Sequence, residues 1–197
     1  MRVIAGSAKG RRLFAVPGQS TRPITDRVKE ALFNILADAV VDARFLDLFA
    51  GTGSVGIEAL SRGASHATFV DCDRRAIATV RRNLEITHLA DYATVLQRDA
   101  FRFAHEYASV PFDLIHVAPP QYQGLWSRTL HALEGSPLLV PGTLVVVQIY
   151  PKEFESLDLA HLVLSDQRTY GSTMLCFYEA SSPPTADDAS QSHNNVG

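Results

Sequence analysis

Short apolar runs alternate with longer mixed stretches through most of the chain. The apolar runs are continuous rather than alternating with polar residues, which is typical of strands buried on both faces of a parallel sheet. The stretches between them are predicted to be helical. The predicted strands are 45–49, 67–70, 94–97, 114–117 and 143–148, and the predicted helices are 54–62, 74–87, 100–108 and 124–134. Regular alternation of strand and helix predicts a doubly wound α/β domain.

Both ends of the chain depart from this alternation. Before residue 45, short strands are predicted at 3–5 and 12–16 around a turn. A helix follows, capped by Thr25, with one apolar face formed by Val28, Leu32, Ile35 and Leu36. Near the other end, further strands are predicted at 162–164, 167–170 and 174–178. We therefore expect a seven-stranded, mostly parallel sheet that closes with an antiparallel hairpin.

The chain is expected to divide into three parts. Residues 1–42 form an N-terminal hairpin and helix, residues 43–180 form the α/β domain, and residues 181–197 form a tail. The tail is rich in Ser, Pro, Asp and Asn, and this composition buries too little apolar surface to fold. We expect the tail to be disordered.

Charge is distributed unevenly along the 197 residues. The net charge is −3, yet residues 1–30 hold seven Lys or Arg against two Asp or Glu. A basic arm on an acidic body suggests a nucleic acid partner, with an ordinary solvated face as the alternative. No apolar stretch reaches the roughly 20 residues of a membrane span, and two cysteines are too few for a disulfide framework or a zinc cluster. We expect a cytoplasmic protein without a metal site, with Cys72 and Cys176 reduced and packed.

Glycines at positions 51, 53 and 56 follow the first predicted strand and open a helix. Gly51 and Gly53 let the backbone approach a nucleotide-type ligand, and Asp71, 20 residues after Gly51, suits ribose hydroxyls. Asp47 distinguishes between anionic and cationic nucleotide-type ligands, because a carboxylate at this position repels a pyrophosphate and attracts a cation. S-adenosylmethionine carries a sulfonium and an ammonium, so the pattern predicts this cofactor rather than NAD.

Further candidate cofactor contacts lie at the ends of the predicted strands. Asp47 suits the amino group of the ligand, directly or through water, and Asp71 suits the ribose diol. Asp99 suits the adenine amino group, and the amide of Ala100 suits the adenine ring; the alternative is that Asp99 only caps the next helix. Asp73 is a weaker candidate for the ribose.

The fourth predicted strand ends in a proline-rich corner, Ala118-Pro119-Pro120-Gln121-Tyr122. The two prolines stiffen the loop and remove two backbone donors, which leaves carbonyl oxygens free to accept from a ligand. Tyr122 offers an aromatic face for a base, and Gln121 offers both a donor and an acceptor to a base edge. His116 is expected to be a strand residue rather than a general base.

Several blocks of the sequence resemble the bacterial family that methylates N2 of a guanine in small-subunit (16S) ribosomal RNA. The resemblance spans about residues 2–180, with blocks at 3–6, 10–13, 22–34, 47–56, 58–64 and 170–173. It implies a Rossmann-like class I S-adenosylmethionine methyltransferase fold. It also adds Thr25, Phe49 and Cys72 to the expected cofactor contacts.

The resemblance implies ribosomal RNA or the small ribosomal subunit as the partner of a monomeric protein. It assigns phosphate contacts to Lys9, Arg11 and Arg12, and it places Arg22 and Arg27 closer to the cofactor. A flipped guanine is expected to enter beside Tyr122.

The chain departs from the family at the proline corner. The family carries Asp-Pro-Pro followed by Phe or Tyr, whereas this chain has Ala118 before the prolines and Gln121 after them. The family aspartate accepts a hydrogen bond from the target amine. Three outcomes are open: the carbonyls of Ala118 and Pro119 hold the amine alone, Gln121 or His116 substitutes, or methylation is poor. A non-catalytic assembly protein and a methyltransferase for another nucleic acid amine are the alternative functions.

Overall fold

A seven-stranded sheet lies at the centre of the computed structural model, which describes residues 1–18, 24–106, 110–134 and 136–181. The strands are β1 (Arg44–Leu48), β2 (His66–Asp71), β3 (Ala93–Gln97), β4 (Leu114–Val117), β5 (Leu144–Ile149), β6 (Leu162–Tyr170) and β7 (Thr173–Ala180). Their spatial order is β3-β2-β1-β4-β5-β7-β6. Strands β1 to β5 are parallel, and β7 is antiparallel to both of its neighbours. The predicted fold class, with its closing antiparallel hairpin, is confirmed.

Helices cover both faces of the sheet. They are α1 (Asp26–Leu36), α2 (Ser54–Ser61), α3 (Arg74–Thr87), α4 (Ala100–Glu106) and α5 (Leu125–Glu134). Helices α1, α2 and α3 contribute to the hydrophobic core on one face, and α4 and α5 contribute to the core on the other. This double cover explains why the parallel strands are continuous apolar runs. Because β1, β2, β3 and β4 are parallel, the loops that follow them meet at one edge of the sheet.

The structure corrects three details of the predicted elements. The N-terminal segments pair over a shorter stretch than the predicted strands 3–5 and 12–16: one antiparallel bridge joins Arg2 and Arg12, flanked by backbone hydrogen bonds between residues 1–3 and 10–13. The runs 162–164 and 167–170 belong to one strand, β6, with a bulge between Leu164 and Asp166. Ile35, predicted on the apolar face of α1, is exposed, whereas Lys29 of the same helix is buried. Thr25 caps α1 as predicted, accepting from the Val28 amide at 3.3 Å.

Buried side chains of α1 and α2 hold the N-terminal arm, residues 1–18, against the rest of the fold. The amides of Ile4 and Ala5 donate to the carboxylate of Glu58 at 2.8 and 2.9 Å. Lys29 Nζ lies 3.2 Å from the same carboxylate. Burial lowers the pKa of Lys29, and the charge of Glu58 opposes this shift. Glu58 thus satisfies two backbone amides of the arm that follow the antiparallel bridge.

The arm and α1 share one buried core with β1 and α2, although the division into residues 1–42 and 43–180 stays a prediction. The predicted tail lies outside the described residues, except for Ser181. Within the part of the chain that the structure describes, no helix is long and apolar enough to cross a membrane.

Candidate functional site

A tight loop connects β1 to α2 at the carboxyl edge of the sheet. Phe49, Gly51 and Gly53 have φ angles of 62°, 55° and 74°, a region that glycine adopts most readily. Further on, a Cβ at Gly56 would lie 2.4 Å from Phe69 Cε1. Helix α2 can therefore approach the sheet closely only because residue 56 lacks a side chain, as the glycine spacing indicated.

Asp71 links this loop to the end of β2. Its Oδ2 accepts from the Gly51 amide at 2.9 Å, and its Oδ1 accepts from the Asp73 amide at 2.8 Å. The side chain is only partly buried. Each carboxylate oxygen can accept more than one hydrogen bond, so both oxygens keep capacity for a further donor. The pair of acceptors matches the two hydroxyls of a ribose.

Asp99 follows β3 and caps α4. Its Oδ1 accepts from the amides of Phe101 and Arg102 at 3.1 and 3.0 Å, and the side chain is exposed. The capping role that was the alternative is thus present, and it is compatible with an adenine contact. Ala100, the first residue of α4, is buried. The adenine contacts of Asp99 and Ala100 stay predictions.

The two cysteines differ in their surroundings. Cys72, expected to be packed, is exposed beside Asp71. Desolvation is the larger cause of a raised pKa of the Cys72 thiol, and the negative charge of Asp71 raises this pKa further. The thiol therefore stays protonated. Cys176 is buried on β7, and burial raises its pKa to about 12. Cys72 is therefore the cysteine at the candidate site, as a neutral thiol.

Asp47 is buried beneath the glycine loop, and both of its carboxylate oxygens have protein partners. Oδ2 accepts from the Gly56 amide at 3.1 Å, and Oδ1 lies 2.9 Å from His116 Nδ1. Asp47 and His116 are paired across β1 and β4. The carboxylate therefore ties α2 and β4 to β1. His116 is a buried strand residue, as expected, and the contact of Asp47 with a cofactor amino group stays a prediction.

The proline corner follows β4 and lies beside the glycine loop. The Ala118 amide donates to the Leu48 carbonyl at 3.4 Å. Gln121 is exposed, and Tyr122 is 70% exposed with a φ of 61°. The Tyr122 amide donates to Glu153 Oε1, and its ring lies 5.6 Å from that of Tyr150. The aromatic face expected for a base is thus available at the surface.

Phe49, an expected cofactor contact, lies beside two residues that were not anticipated from the sequence, Phe101 and Arg128. The ring of Phe49 lies 6.2 Å from that of Phe101, edge to face, and the Arg128 guanidinium lies 4.2 Å from the centre of the Phe101 ring. These residues belong to three separate elements, so no local spacing connects them. Gln148, near the end of β5, is a further polar residue at this edge.

The predicted RNA-binding cations that the structure describes are exposed, and together with the arginines of α3 we call them the basic surface. Lys9, Arg11 and Arg12 of the arm and Arg27 of α1 are exposed, and Arg22 lies outside the described residues. Helix α3 extends this surface with Arg74, Arg75, Arg81 and Arg82, all exposed. The Arg82 guanidinium lies 3.5 Å from the centre of the Phe14 ring, which connects α3 to the arm.

Asn83 holds the arm against the glycine loop. Its side chain bonds to both the amide and the carbonyl of Phe14, at 2.8 and 3.1 Å, and donates to the Thr52 carbonyl at 2.9 Å. Thr25, the cap of α1, is exposed, and its contact with the cofactor stays a prediction. The basic arm and the glycine loop are thus parts of one structural unit.

Similar solved structures share this arrangement of strands and helices. That of the Escherichia coli protein yhhF has a TM-score of 0.80 and 36% identity, covering 92% of this chain and 98% of that one. An RNA methyltransferase from Salinibacter ruber, solved with S-adenosyl-L-homocysteine, has a TM-score of 0.66 and 17% identity, covering 84% of this chain and 98% of that one. At this lower identity the likeness concerns the fold.

Sequence comparisons identify the family. Residues 1–179 match the family model described as Conserved hypothetical protein 95. YlbH of Bacillus subtilis is 41% identical over 91% of this chain and 98% of its own length. Ribosomal RNA small subunit methyltransferase D of Escherichia coli (strain K12) is 39% identical over 75% of this chain and 74% of its own length. The resemblance indicated by the sequence blocks is therefore confirmed, and the chain belongs to the Conserved hypothetical protein 95 family.

Proposed function

We propose that the protein transfers a methyl group from S-adenosylmethionine to the exocyclic N2 of a guanine in small-subunit ribosomal RNA. The observation that carries this proposal is the position of the glycine loop beside the proline corner. Leu48 at the end of β1 is paired with Val117 at the end of β4. A cofactor bound at the loop and an amine bound at the corner would therefore lie next to each other.

The residues around the glycine loop fit the cofactor. S-adenosylmethionine, when bound, supplies a methyl group activated on a sulfonium. Asp71 binds the ribose diol, while Asp99 and the amide of Ala100 bind the adenine. The buried charge of Asp47 favours the cationic end of the ligand. Contacts from Thr25, Phe49 and Cys72 complete the proposed cofactor site.

The corner orients the target amine instead of supplying a strong base. The carbonyl oxygens of Ala118 and Pro119 accept from the amine, and the exposed ring of Tyr122 stacks on the guanine. Because a sulfonium is a good leaving group, the amine can lose its proton after attack. Alignment of nitrogen and methyl group is then the main contribution, worth about 7–11 kcal/mol in favourable cases.

Methyl transfer to RNA tests the proposal directly. The protein is incubated with tritium-labelled S-adenosylmethionine and either small ribosomal subunits or naked small-subunit RNA, and the modified nucleoside is identified by mass spectrometry. We expect N2-methylguanosine. Methylated adenosine or cytidine would assign a different target, and intact cofactor binding without transfer to any RNA would contradict the proposal.

A second candidate function follows from Ala118. Because the corner lacks a carboxylate, the chain could bind cofactor and RNA as an assembly protein without turnover. In that case the wild-type protein binds RNA and cofactor but transfers no methyl group, and Ala118→Asp creates activity. The same labelled-cofactor assay separates the two candidates.

The basic surface is proposed to bind the RNA backbone of a substrate that the protein meets in the cytoplasm as a monomer. Lys9, Arg11 and Arg12 are its centre, with Arg27 and the arginines of α3 around them. Lys and Arg that neutralise phosphates supply affinity without reading sequence. The choice of nucleotide must then come from RNA shape and from the corner.

Reversal of one charge on this surface should weaken RNA binding. We expect Arg12→Glu to lower RNA affinity about 10-fold and to reduce the salt dependence of log K by about one. Cofactor affinity should stay unchanged. Filter binding at several salt concentrations measures both effects. Arg168→Glu, an equal change at an exposed arginine of β6, is the matched control. Equal losses in the two variants would show that net charge, and not this surface, determines binding.

A further inference from the structure

Two buried side-chain atoms near the proline corner have no hydrogen-bond partner among the described residues. They are His116 Nε2 on β4 and Gln148 Oε1 on β5. Buried polar atoms are nearly always bonded, so two unpaired atoms on adjacent strands require an explanation. Neither atom has a role in the site as described above.

These two residues share one face of the sheet with Ala118. His116 is paired with Val146 and Val117 with Val147, so the next pair along β4 and β5 is Ala118 and Gln148. Side chains alternate along a strand, which puts His116, Ala118 and Gln148 on the same face. Adjacent strands are about 4.8 Å apart. A glutamine side chain is long enough to extend over the methyl group of Ala118 from the neighbouring strand.

Asp47 determines what His116 can offer. A carboxylate only accepts, so in the neutral imidazole the proton lies on Nδ1, which donates to Asp47 at 2.9 Å. His116 Nε2 is then an acceptor, and it needs a donor. A rotation of the Gln148 amide by half a turn exchanges its oxygen and its nitrogen. The amide nitrogen then occupies the buried position, and the oxygen faces away from it.

We propose that Gln148 supplies the hydrogen-bond acceptor that Ala118 lacks. In this arrangement the Gln148 amide donates to His116 Nε2. Gln148 Oε1 accepts from one N–H of the target amine beside Ala118, and the backbone carbonyls of the corner accept from the other N–H. Hydrogen bonds between Asp47 and His116 and between His116 and Gln148 fix the orientation of the Gln148 amide. His116 is therefore a positioning residue, and Gln148 is the residue that contacts the substrate. This inference rests on the proposed methyl transfer to an exocyclic amine.

A rescue experiment tests Gln148. We expect Gln148→Leu to lower kcat for methyl transfer about 100- to 1,000-fold, as for loss of one oriented polar group at a reacting centre. Cofactor affinity and thermal stability should be retained, because leucine fills the same volume without a polar atom. The double variant Ala118→Asp/Gln148→Leu should regain most of the kcat, since the carboxylate restores an acceptor. Gln167→Leu, on the exposed surface of β6, is the control for an equivalent change elsewhere.

The outcomes separate this inference from the proposed function. Unchanged kcat in Gln148→Leu, or a loss that Ala118→Asp does not restore, would overturn the role of Gln148 while methylation by the wild-type protein stands. An inactive wild type with an active Ala118→Asp variant would also overturn it, because Gln148 would then not replace the carboxylate. Inactivity of both proteins with cofactor bound would instead contradict methyl transfer itself.

Discussion

Replacement of Asp71 by alanine should weaken cofactor binding about 100-fold or more. Hydrogen bonds to a charged group contribute about 1.5–3 kcal/mol each, and the variant loses two to the ribose. It also frees the Gly51 amide, whose 2.9 Å bond to Asp71 Oδ2 fixes the glycine loop. Titration calorimetry with S-adenosylhomocysteine measures the effect without depending on any RNA substrate.

Two further variants give the Asp71 experiment its controls. Asp71→Asn keeps one acceptor oxygen, so its affinity should fall between that of the wild type and that of Asp71→Ala. Asp113→Ala removes a carboxylate that accepts from the Arg44 amide at 2.7 Å, at the opposite end of β1. The Asp113 variant should bind cofactor normally. If Asp71→Ala binds as tightly as Asp113→Ala, the ribose lies elsewhere and the cofactor site must be reassigned.

The features predictable from the sequence are those with a local cause. Continuous apolar runs identified the buried parallel strands, because each run must be covered on both faces. The spacing of Gly51, Gly53 and Gly56 identified the turn after β1, because the turn and the close contact with Phe69 need residues without side chains. Asp71 then followed from its place at the end of the next strand. The fold and the place of these residues in it could therefore be predicted, and their binding roles stay predictions.

Contacts between distant residues could not be predicted in this way. Asp47 and His116 are 69 residues apart, and only the parallel register of β1 and β4 brings them together. Phe14 and Asn83 are equally far apart and meet because the arm lies along α3. The N-terminal pairing is shorter than predicted for a related reason. The amides of Ile4 and Ala5 donate to Glu58 instead of continuing the pairing, and a carboxylate in a helix carries no sign of such a partner.

The altered proline corner is a further example of residues that are distant in sequence and adjacent in the fold. Compared with the family pattern, the sequence lacks a carboxylate at Ala118. The residues nearest in sequence that could replace this acceptor are Gln121 and His116. Gln121 proves to be exposed, whereas His116 is buried against Asp47. Gln148 is 30 residues away in sequence but next to Ala118 in the sheet. The proposed replacement for the carboxylate therefore lies on the adjoining strand, where sequence spacing gives no sign of it.

Replacement of Gly6 should strongly lower the stability of the protein, because the N-terminal arm packs against α2 at this residue. Its φ is +79°, and a Cβ would lie 1.6 Å from the Ser61 carbonyl oxygen, which belongs to rigid helix backbone. Gly6→Ala must therefore displace the arm. The amides of Ile4 and Ala5 then lose their bonds to Glu58, which leaves a buried carboxylate poorly satisfied. We expect the free energy of unfolding to fall by about 3–5 kcal/mol, a large part of the total of a typical domain.

Gly10→Ala is the matched control for Gly6→Ala. Gly10 has nearly the same φ, +83°, but a Cβ there would meet no atom within 4 Å. Both variants carry the strain of alanine in a left-handed conformation, about 1–2 kcal/mol, and only Gly6→Ala adds the clash. Urea denaturation gives both unfolding free energies, and the difference between them measures how strongly the arm is held. Equal losses would mean that the contact with Ser61 contributes little. Because the arm carries Lys9, Arg11 and Arg12, Gly6→Ala should also weaken RNA binding, whereas Gly10→Ala should retain it.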